Sequence, residues 1–109
     1  MKAGRIKEKG TCVIKDNKVI MDWVQFKGGY PDQSHCIICG NLVDSSKTNW
    51  VELSFLGEVI AFTNKNEWIT MPYSTGESQG EWEVGNECFK QVVEMCMQVI
   101  NNRSKKEVL

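Results

Sequence analysis

The sequence predicts one α+β domain, in which a small antiparallel sheet made of two hairpins packs against a C-terminal helix. Two segments rich in β-branched and aromatic residues are each divided by a short turn, which is the pattern of a β-hairpin. Apolar residues recur at helical spacing near the C-terminus. The 109 residues are enough for one domain with one hydrophobic core. We expect that domain to span residues 11–103, between a flexible basic segment at 1–10 and a flexible tail at 104–109.

The two predicted hairpins follow from turn chemistry. The first has arms at 11–15 and 18–26, joined by Asp16 and Asn17, two residue types that favour tight turns. The second has arms at 50–55 and 58–63, joined around a Leu-Gly pair. Each pair of arms is therefore expected to be antiparallel.

Two more strands and the helix complete the prediction. The strands are expected at 68–73 and 81–84, with a polar loop between them. Asn86 is a residue type that caps helix N-termini, and Glu87 would lie near the positive end of the helix dipole. The apolar stripe that follows indicates one buried helix face, formed by Phe89, Val92, Val93, Cys96, Val99 and Ile100.

The cysteines predict a zinc site. Cys36 and Cys39 are separated by two residues and followed by Gly40, which is the spacing of a metal-binding knuckle. Cys88 falls in the first turn of the predicted helix, where the helix dipole stabilises a thiolate. No signal-peptide pattern or membrane-length apolar run is present, so we expect a cytoplasmic protein without a membrane partner. In that compartment five cysteines favour metal binding or burial over disulfides.

The segment from Val84 to Lys90 resembles the helix start of treble-clef zinc modules, such as the zinc-binding domain of Clp-type protein unfoldases. The resemblance implies a treble-clef-like fold around a structural Zn²⁺, with Cys36, Cys39 and Cys88 matching three of its four ligand positions. Gly85 occupies the position of the remaining cysteine. The chain also resembles small, often phage-borne proteins with a C-x2-C-G knuckle. That likeness implies a phage-type accessory factor, which would act in the host cytoplasm if phage-encoded.

The fourth zinc ligand is open to several interpretations. Cys12 is the first candidate, because a strand of the N-terminal hairpin could pack over the knuckle. His35 is the alternative, although adjacent residues seldom both reach one small ion. Asp32, water or a group from a partner could also complete the site. A further alternative has no metal at all, with the thiols serving as small apolar core residues.

A metal-dependent enzyme is the least favoured functional class. A zinc deaminase needs a glutamate two residues after a His or Cys ligand, and the sequence has no such motif. Residues 76–80 match G-x-S-x-G, but no histidine follows them to act as the base. His35 is the only histidine, which limits general acid–base chemistry. We therefore expect a non-enzymatic binding module.

Segregated charge indicates what the module binds. Residues 19–100 carry four lysines and eleven acidic residues, a net charge of −7. Within this acidic body, Trp82 lies between Glu81 and Glu83, and an aromatic residue flanked by carboxylates suits a basic protein surface. The favoured function is thus protein interaction, as an inhibitor or accessory factor.

The basic termini support nucleic-acid binding as the alternative function. Residues 1–18 have a net charge of +4 and residues 101–109 a net charge of +2. Lysine and arginine side chains at both ends could bind phosphate groups, with the zinc knuckle positioning them. The candidate residues are Lys2, Arg5, Lys7, Lys9, Arg103, Lys105 and Lys106.

Overall fold

The computed structural model describes residues 6–30, 32–44 and 49–107, with side chains as far as Arg103. Its antiparallel sheets and single C-terminal helix confirm the predicted α+β class. In chain order the elements are β1 (Ile6–Glu8), β2 (Thr11–Lys15), β3 (Lys18–Asp22), β4 (Gln25–Phe26), β5 (Asn49–Ser54), β6 (Val59–Asn64), β7 (Glu67–Thr70), β8 (Ser78–Val84) and α1 (Asn86–Glu107).

The central sheet has four antiparallel strands in the order β7-β6-β5-β8. The predicted hairpins appear as β2–β3 and β5–β6. The first hairpin turns at Asp16 and Asn17, whose φ angles of 54° and 60° belong to the left-handed region. Two consecutive left-handed residues form the turn whose twist matches that of the flanking strands. The turn residues therefore specify this hairpin, as the sequence predicts.

The β2–β3 hairpin connects the central sheet to the helix. Met21 N donates a hydrogen bond to Gly57 O over 2.8 Å, which joins β3 to the turn between β5 and β6. Position 57 has a φ of +83°, and a Cβ there would overlap the Met21 carbonyl oxygen. Only glycine allows this close approach. The helix packs on β2 and β3 through its predicted apolar stripe, whose buried members are Phe89, Val92, Cys96 and Val99.

Both ends of the folded region extend beyond the predicted boundaries of 11 and 103. Ile6–Glu8 form β1, which pairs with β4, and Gly10 N donates to Ile38 O over 2.6 Å. The helix continues to Glu107. Near its end, the Arg103 guanidinium donates to Pro72 O over 3.1 Å and lies 5.4 Å from the ring centre of Tyr73. Residues 1–5, 108 and 109 of the predicted flexible ends lie outside the described residues.

In the part of the chain that the structure describes, no helix is both long enough and apolar enough to cross a membrane.

A buried carboxylate joins three parts of the fold. Lys18 Nζ donates to Glu58 Oε2 over 2.9 Å, while Ser54 Oγ and Gly76 N donate to Glu58 Oε1 over 3.0 and 2.8 Å. The Lys18 ammonium, followed by the Gly76 N–H, lowers the pKa of Glu58. Because the folded-state pKa lies below the unfolded one, the charged network stabilises the fold above the ordinary glutamate pKa of about 4.3. This contribution is lost as the pH falls through the folded-state pKa.

Replacement of the Glu58 carboxylate should therefore lower the stability of the fold by an amount that depends on pH. We expect Glu58→Gln to lower the free energy of unfolding by about 2 kcal/mol at neutral pH, since charge-assisted hydrogen bonds to a buried group are lost. Urea unfolding measures this difference, which should shrink at a pH below about 4. Glu67→Gln, on the exposed face of β7, is the matched control and should stay within about 0.5 kcal/mol of the native chain. A loss of stability that is the same at all pH values would contradict the stabilising role of the charged Glu58 carboxylate.

Candidate metal centre

Three thiols converge between the knuckle and the start of the helix. The Sγ atoms of Cys36, Cys39 and Cys88 all lie within 4.8 Å of one another. A tetrahedral zinc with Zn–S bonds of about 2.3 Å holds its sulfurs about 3.8 Å apart. The three cysteines predicted to bind metal are thus brought together with spacings that fit a metal ion, and we refer to them as the thiol group.

The knuckle is a tight turn closed by backbone hydrogen bonds. Cys36 N donates to Asn41 O over 2.8 Å, and Gly40 N donates to Cys36 O over 2.9 Å. Gly40 has a φ of +81°, and a Cβ there would come within 2.9 Å of the Ile6 side chain. A side chain at position 40 would be strained by the backbone and would also press against β1. This turn directs both knuckle thiols towards the helix.

The third thiol is positioned by the helix N-terminus. Phe89 N donates to Gly85 O over 2.8 Å, so Gly85 is the N-cap and the predicted cap, Asn86, is the first helical residue. The Asn86 side chain instead accepts a hydrogen bond from Asn49 Nδ2 over 3.0 Å. Cys88 lies in the first turn, as predicted. The expected lowering of its pKa by the helix dipole is outweighed by burial and by the sulfurs of Cys36 and Cys39.

The electrostatics of the thiol group favour a bound cation. Burial alone would raise the pKa of the Cys36 thiol, but the N–H groups of Cys39, Gly85 and Ile38 stabilise its thiolate, and the pKa falls below its ordinary value. Burial and the neighbouring sulfurs of Cys36 and Cys39 raise the pKa of Cys88 to about 12. Three thiolates in this space repel one another, and a divalent cation removes that repulsion.

The structure does not place either predicted fourth ligand in the thiol group. Cys12 lies on β2, where it packs partly buried against the core on the side of the helix, and it is not one of the cysteines that converge. Burial raises the pKa of the Cys12 thiol to about 11. Burial, together with the Cys12 thiol, also raises the pKa of Cys96. The His35 ring stacks on Tyr30, with ring centres 5.8 Å apart. Among the described residues, the thiol group contains only the three cysteines.

A cavity of about 430 Å³ borders the thiol group. Asp44 and Glu87 line it together with the three cysteines, although neither has an oxygen within 4.8 Å of all three sulfurs. Carboxylate oxygen is a common zinc ligand, so these two side chains are candidates that the sequence analysis missed. Glu87 could have been proposed from the sequence, because it is adjacent to Cys88. Asp44 is distant from Cys88 in sequence, and only folding brings it to the cavity.

Gly85, at the position where the resembling zinc modules have a fourth cysteine, lies against the thiol group. A Cβ at position 85 would be 3.6 Å from Cys36 Cβ and 3.8 Å from Cys36 Sγ, which are ordinary contact distances. Gly85 is not among the glycines with a positive φ, so its backbone accepts a side chain. Position 85, where the resembling zinc modules carry a cysteine, therefore lies beside the thiol group.

Comparisons with protein-family models, curated proteins and solved structures find no match to this chain. The case for a metal centre therefore rests on the geometry of the thiol group. The treble-clef and phage-protein resemblances stay predictions.

The predicted partner-binding residues lie together on β8. We call Glu81, Trp82 and Glu83 the β8 surface. Trp82 is 39% exposed, Glu81 is exposed and Glu83 is half-buried. The Ile37 N–H donates to Glu83 O over 2.9 Å, so the knuckle contacts this surface directly.

The basic residues of the nucleic-acid alternative are only partly described. Lys7 and Lys9 are exposed at the N-terminal end of the fold. Arg103 is engaged by Pro72 and Tyr73 within the chain. The side chains of Lys2, Arg5, Lys105 and Lys106 lie outside the described residues.

Proposed function

We propose that this chain is a non-enzymatic module, stabilised by a structural Zn²⁺ in a treble-clef-like site, that binds a basic partner protein through the β8 surface. The observation that carries the proposal is the exposed Trp82 ring on the edge strand β8, whose neighbours in sequence are Glu81 and Glu83. Tryptophan is enriched among the residues that dominate protein–protein affinity. Surrounding carboxylates favour a positively charged partner.

The charge pattern of the sheet supports a positively charged partner. Glu81 on β8 pairs in register with Glu52 on β5, so two carboxylates project from directly opposite positions on one face. Like charges in this arrangement repel each other and cost stability. A basic group from a partner would relieve the repulsion, which an acidic or nucleic-acid partner would increase.

The zinc is proposed to be structural because the thiol group joins two distant parts of the chain. Cys36 and Cys39 belong to the knuckle, whereas Cys88 belongs to the helix. A metal bound by all three would cross-link these segments and add its binding free energy to that of folding. Asp44 or Glu87 could supply the remaining ligand from the adjacent cavity.

Capture of the partner tests the proposed function. The zinc-loaded protein is used to retain binding proteins from an extract of the cells that make it, and an identified partner is then purified for titration calorimetry. We expect Trp82→Ala to weaken its binding by about 30-fold, as for an interface hot spot, and Glu83→Lys to weaken it through charge repulsion. Trp68→Ala is the matched control, since Trp68 is 45% exposed on the opposite edge strand, β7.

Two outcomes would contradict the proposed function. Partner affinity that is the same for Trp82→Ala and the native chain would exclude the β8 surface. Retention of nucleic acid alone, with affinity that falls steeply with salt and is lost on deletion of residues 1–9, would favour the basic termini instead.

A further inference from the structure

A cavity of about 370 Å³ opens beside Trp82. Three segments that are distant in sequence contribute to its wall: the residues around β4, the knuckle and β8. Aromatic rings form most of that wall, so the cavity is referred to as the aromatic pocket. Its lining residues are Trp23, Tyr30, His35, Ile37, Gln79 and Trp82.

Part of the wall is held in place by ring contacts. The Tyr30 and His35 rings stack at an interplanar angle of 16°. The buried ring of Phe26 packs edge-on against both, with ring centres 5.5 Å from Tyr30 and 5.1 Å from His35. Edge-to-face and stacked contacts at these distances are favourable, so the wall is ordered before any ligand arrives.

Acidic residues line the cavity next to the aromatic pocket. A neighbouring cavity of about 240 Å³ shares His35, Ile37 and Trp82 with it, and Asp32, Glu81 and Glu83 also line that neighbour. Glu83 Oε2 is buried and has no hydrogen-bond partner among the described residues. A buried carboxylate oxygen without a donor is costly, and native structures seldom keep one without a reason.

We infer that the aromatic pocket receives a lysine or arginine side chain of the partner protein. The faces of Trp82, Trp23 and Tyr30 would attract the cation through their π electrons. The ammonium or guanidinium group would also supply the donor that Glu83 Oε2 lacks. An apolar side chain would leave this oxygen unpaired, and an anion would be repelled by the carboxylates of the neighbouring cavity. This inference rests on the proposed function and specifies the chemistry that the partner presents.

Small amides that mimic single side chains test the inference on the full chain. The probes are the Nα-acetyl methylamides of lysine, arginine, norleucine and glutamate. The reporters are the indole N–H signals of the ¹⁵N-labelled protein. We expect the lysine and arginine amides to shift the signals of Trp23 and Trp82 saturably at millimolar concentration. Trp68 lies on β7, away from the pocket lining, and is the internal control whose signal should not move.

Variants identify the groups that bind the cation. Trp82→Ala should weaken binding of the lysine amide about tenfold, and Tyr30→Leu, which keeps an apolar wall but removes the ring, about threefold. Glu83→Gln should also weaken it, since the acceptor loses its charge. Trp68→Ala should bind as the native chain does. Retained native spectra in Tyr30→Leu and Glu83→Gln keep the test valid if Trp82→Ala misfolds.

The results separate this inference from the proposed function. Equal shifts with the norleucine and lysine amides, or no saturable shift with either cation, would overturn the cation pocket even where a partner still binds through Trp82. Cation-selective shifts would support the pocket, even where capture experiments find no protein partner and the proposed function fails.

Discussion

Cys39→Ser is expected to lower the affinity of the protein for Zn²⁺ by about 100- to 1,000-fold, while Cys12→Ser leaves it unchanged. Cys39 contributes one of three sulfurs that lie within 4.8 Å of one another, and Cys12 is outside this group. Structural zinc binds with about 10–16 kcal/mol, so the loss of one thiolate among a few ligands removes about 3–4 kcal/mol. Both cysteines are half-buried, which makes Cys12→Ser a matched control for the change of a thiol to a hydroxyl.

Two measurements check this expectation. Metal analysis of the reduced, purified protein should find one zinc per chain in the native protein and in Cys12→Ser. Competition with a chromophoric chelator then gives the affinities. Chelation should also lower the urea midpoint of the native protein, because metal binding adds to folding stability. Stoichiometric zinc bound with equal affinity by Cys39→Ser and the native chain would rule out the thiol group as the metal site.

Gly85→Cys is expected to raise zinc affinity by about tenfold or more, because it adds a fourth thiolate to the site. A Cβ at position 85 would lie 3.8 Å from Cys36 Sγ without a clash, and the backbone there accepts a side chain. Thiolate is a stronger zinc ligand than the water or carboxylate that would otherwise complete the tetrahedron. Gly85→Ser is the control, since it fills a similar space without providing a thiol.

The measurement must be made under reducing conditions. A Cβ–Cβ separation of 3.6 Å also suits a disulfide between position 85 and Cys36, which would destroy the site. Substitution with Co²⁺ reports the number of thiolates through the intensity of its sulfur-to-metal charge-transfer band. That band should grow in Gly85→Cys and stay constant in Gly85→Ser. An unchanged cobalt spectrum in Gly85→Cys would show that position 85 does not face the metal.

Local patterns were sufficient to predict most of the secondary structure and the three cysteines that converge. Asp16 and Asn17 favour a left-handed turn through their own side chains, so the first hairpin is encoded by adjacent residues. The helix stripe and the C-x2-C-G spacing are likewise read within a few positions. Cys88 could be added because a helix start has a recognisable chemistry.

The missed features depend on how distant segments pack. Cys12 is a candidate in the sequence because a strand of the N-terminal hairpin could pack over the knuckle, but periodicity does not determine the direction in which a hairpin docks. β1 was missed because Ile6 and Glu8 gain their strand partners, Phe26 and Gln25, only when a segment about 20 residues away folds back on them. The aromatic pocket could not be predicted for the same reason, since Trp23 and Tyr30 meet Trp82 only after folding.

One backbone hydrogen bond has a thermodynamic consequence for the proposed module. Ile37, between the two knuckle cysteines, donates to the carbonyl of Glu83, and it also lines the aromatic pocket. A metal that orders the knuckle would thereby order the strand that meets the partner. Linkage makes such an effect reciprocal, so a partner that binds the ordered strand must tighten zinc by the same factor by which zinc tightens the partner. Free zinc concentration would then act as an allosteric effector of complex formation.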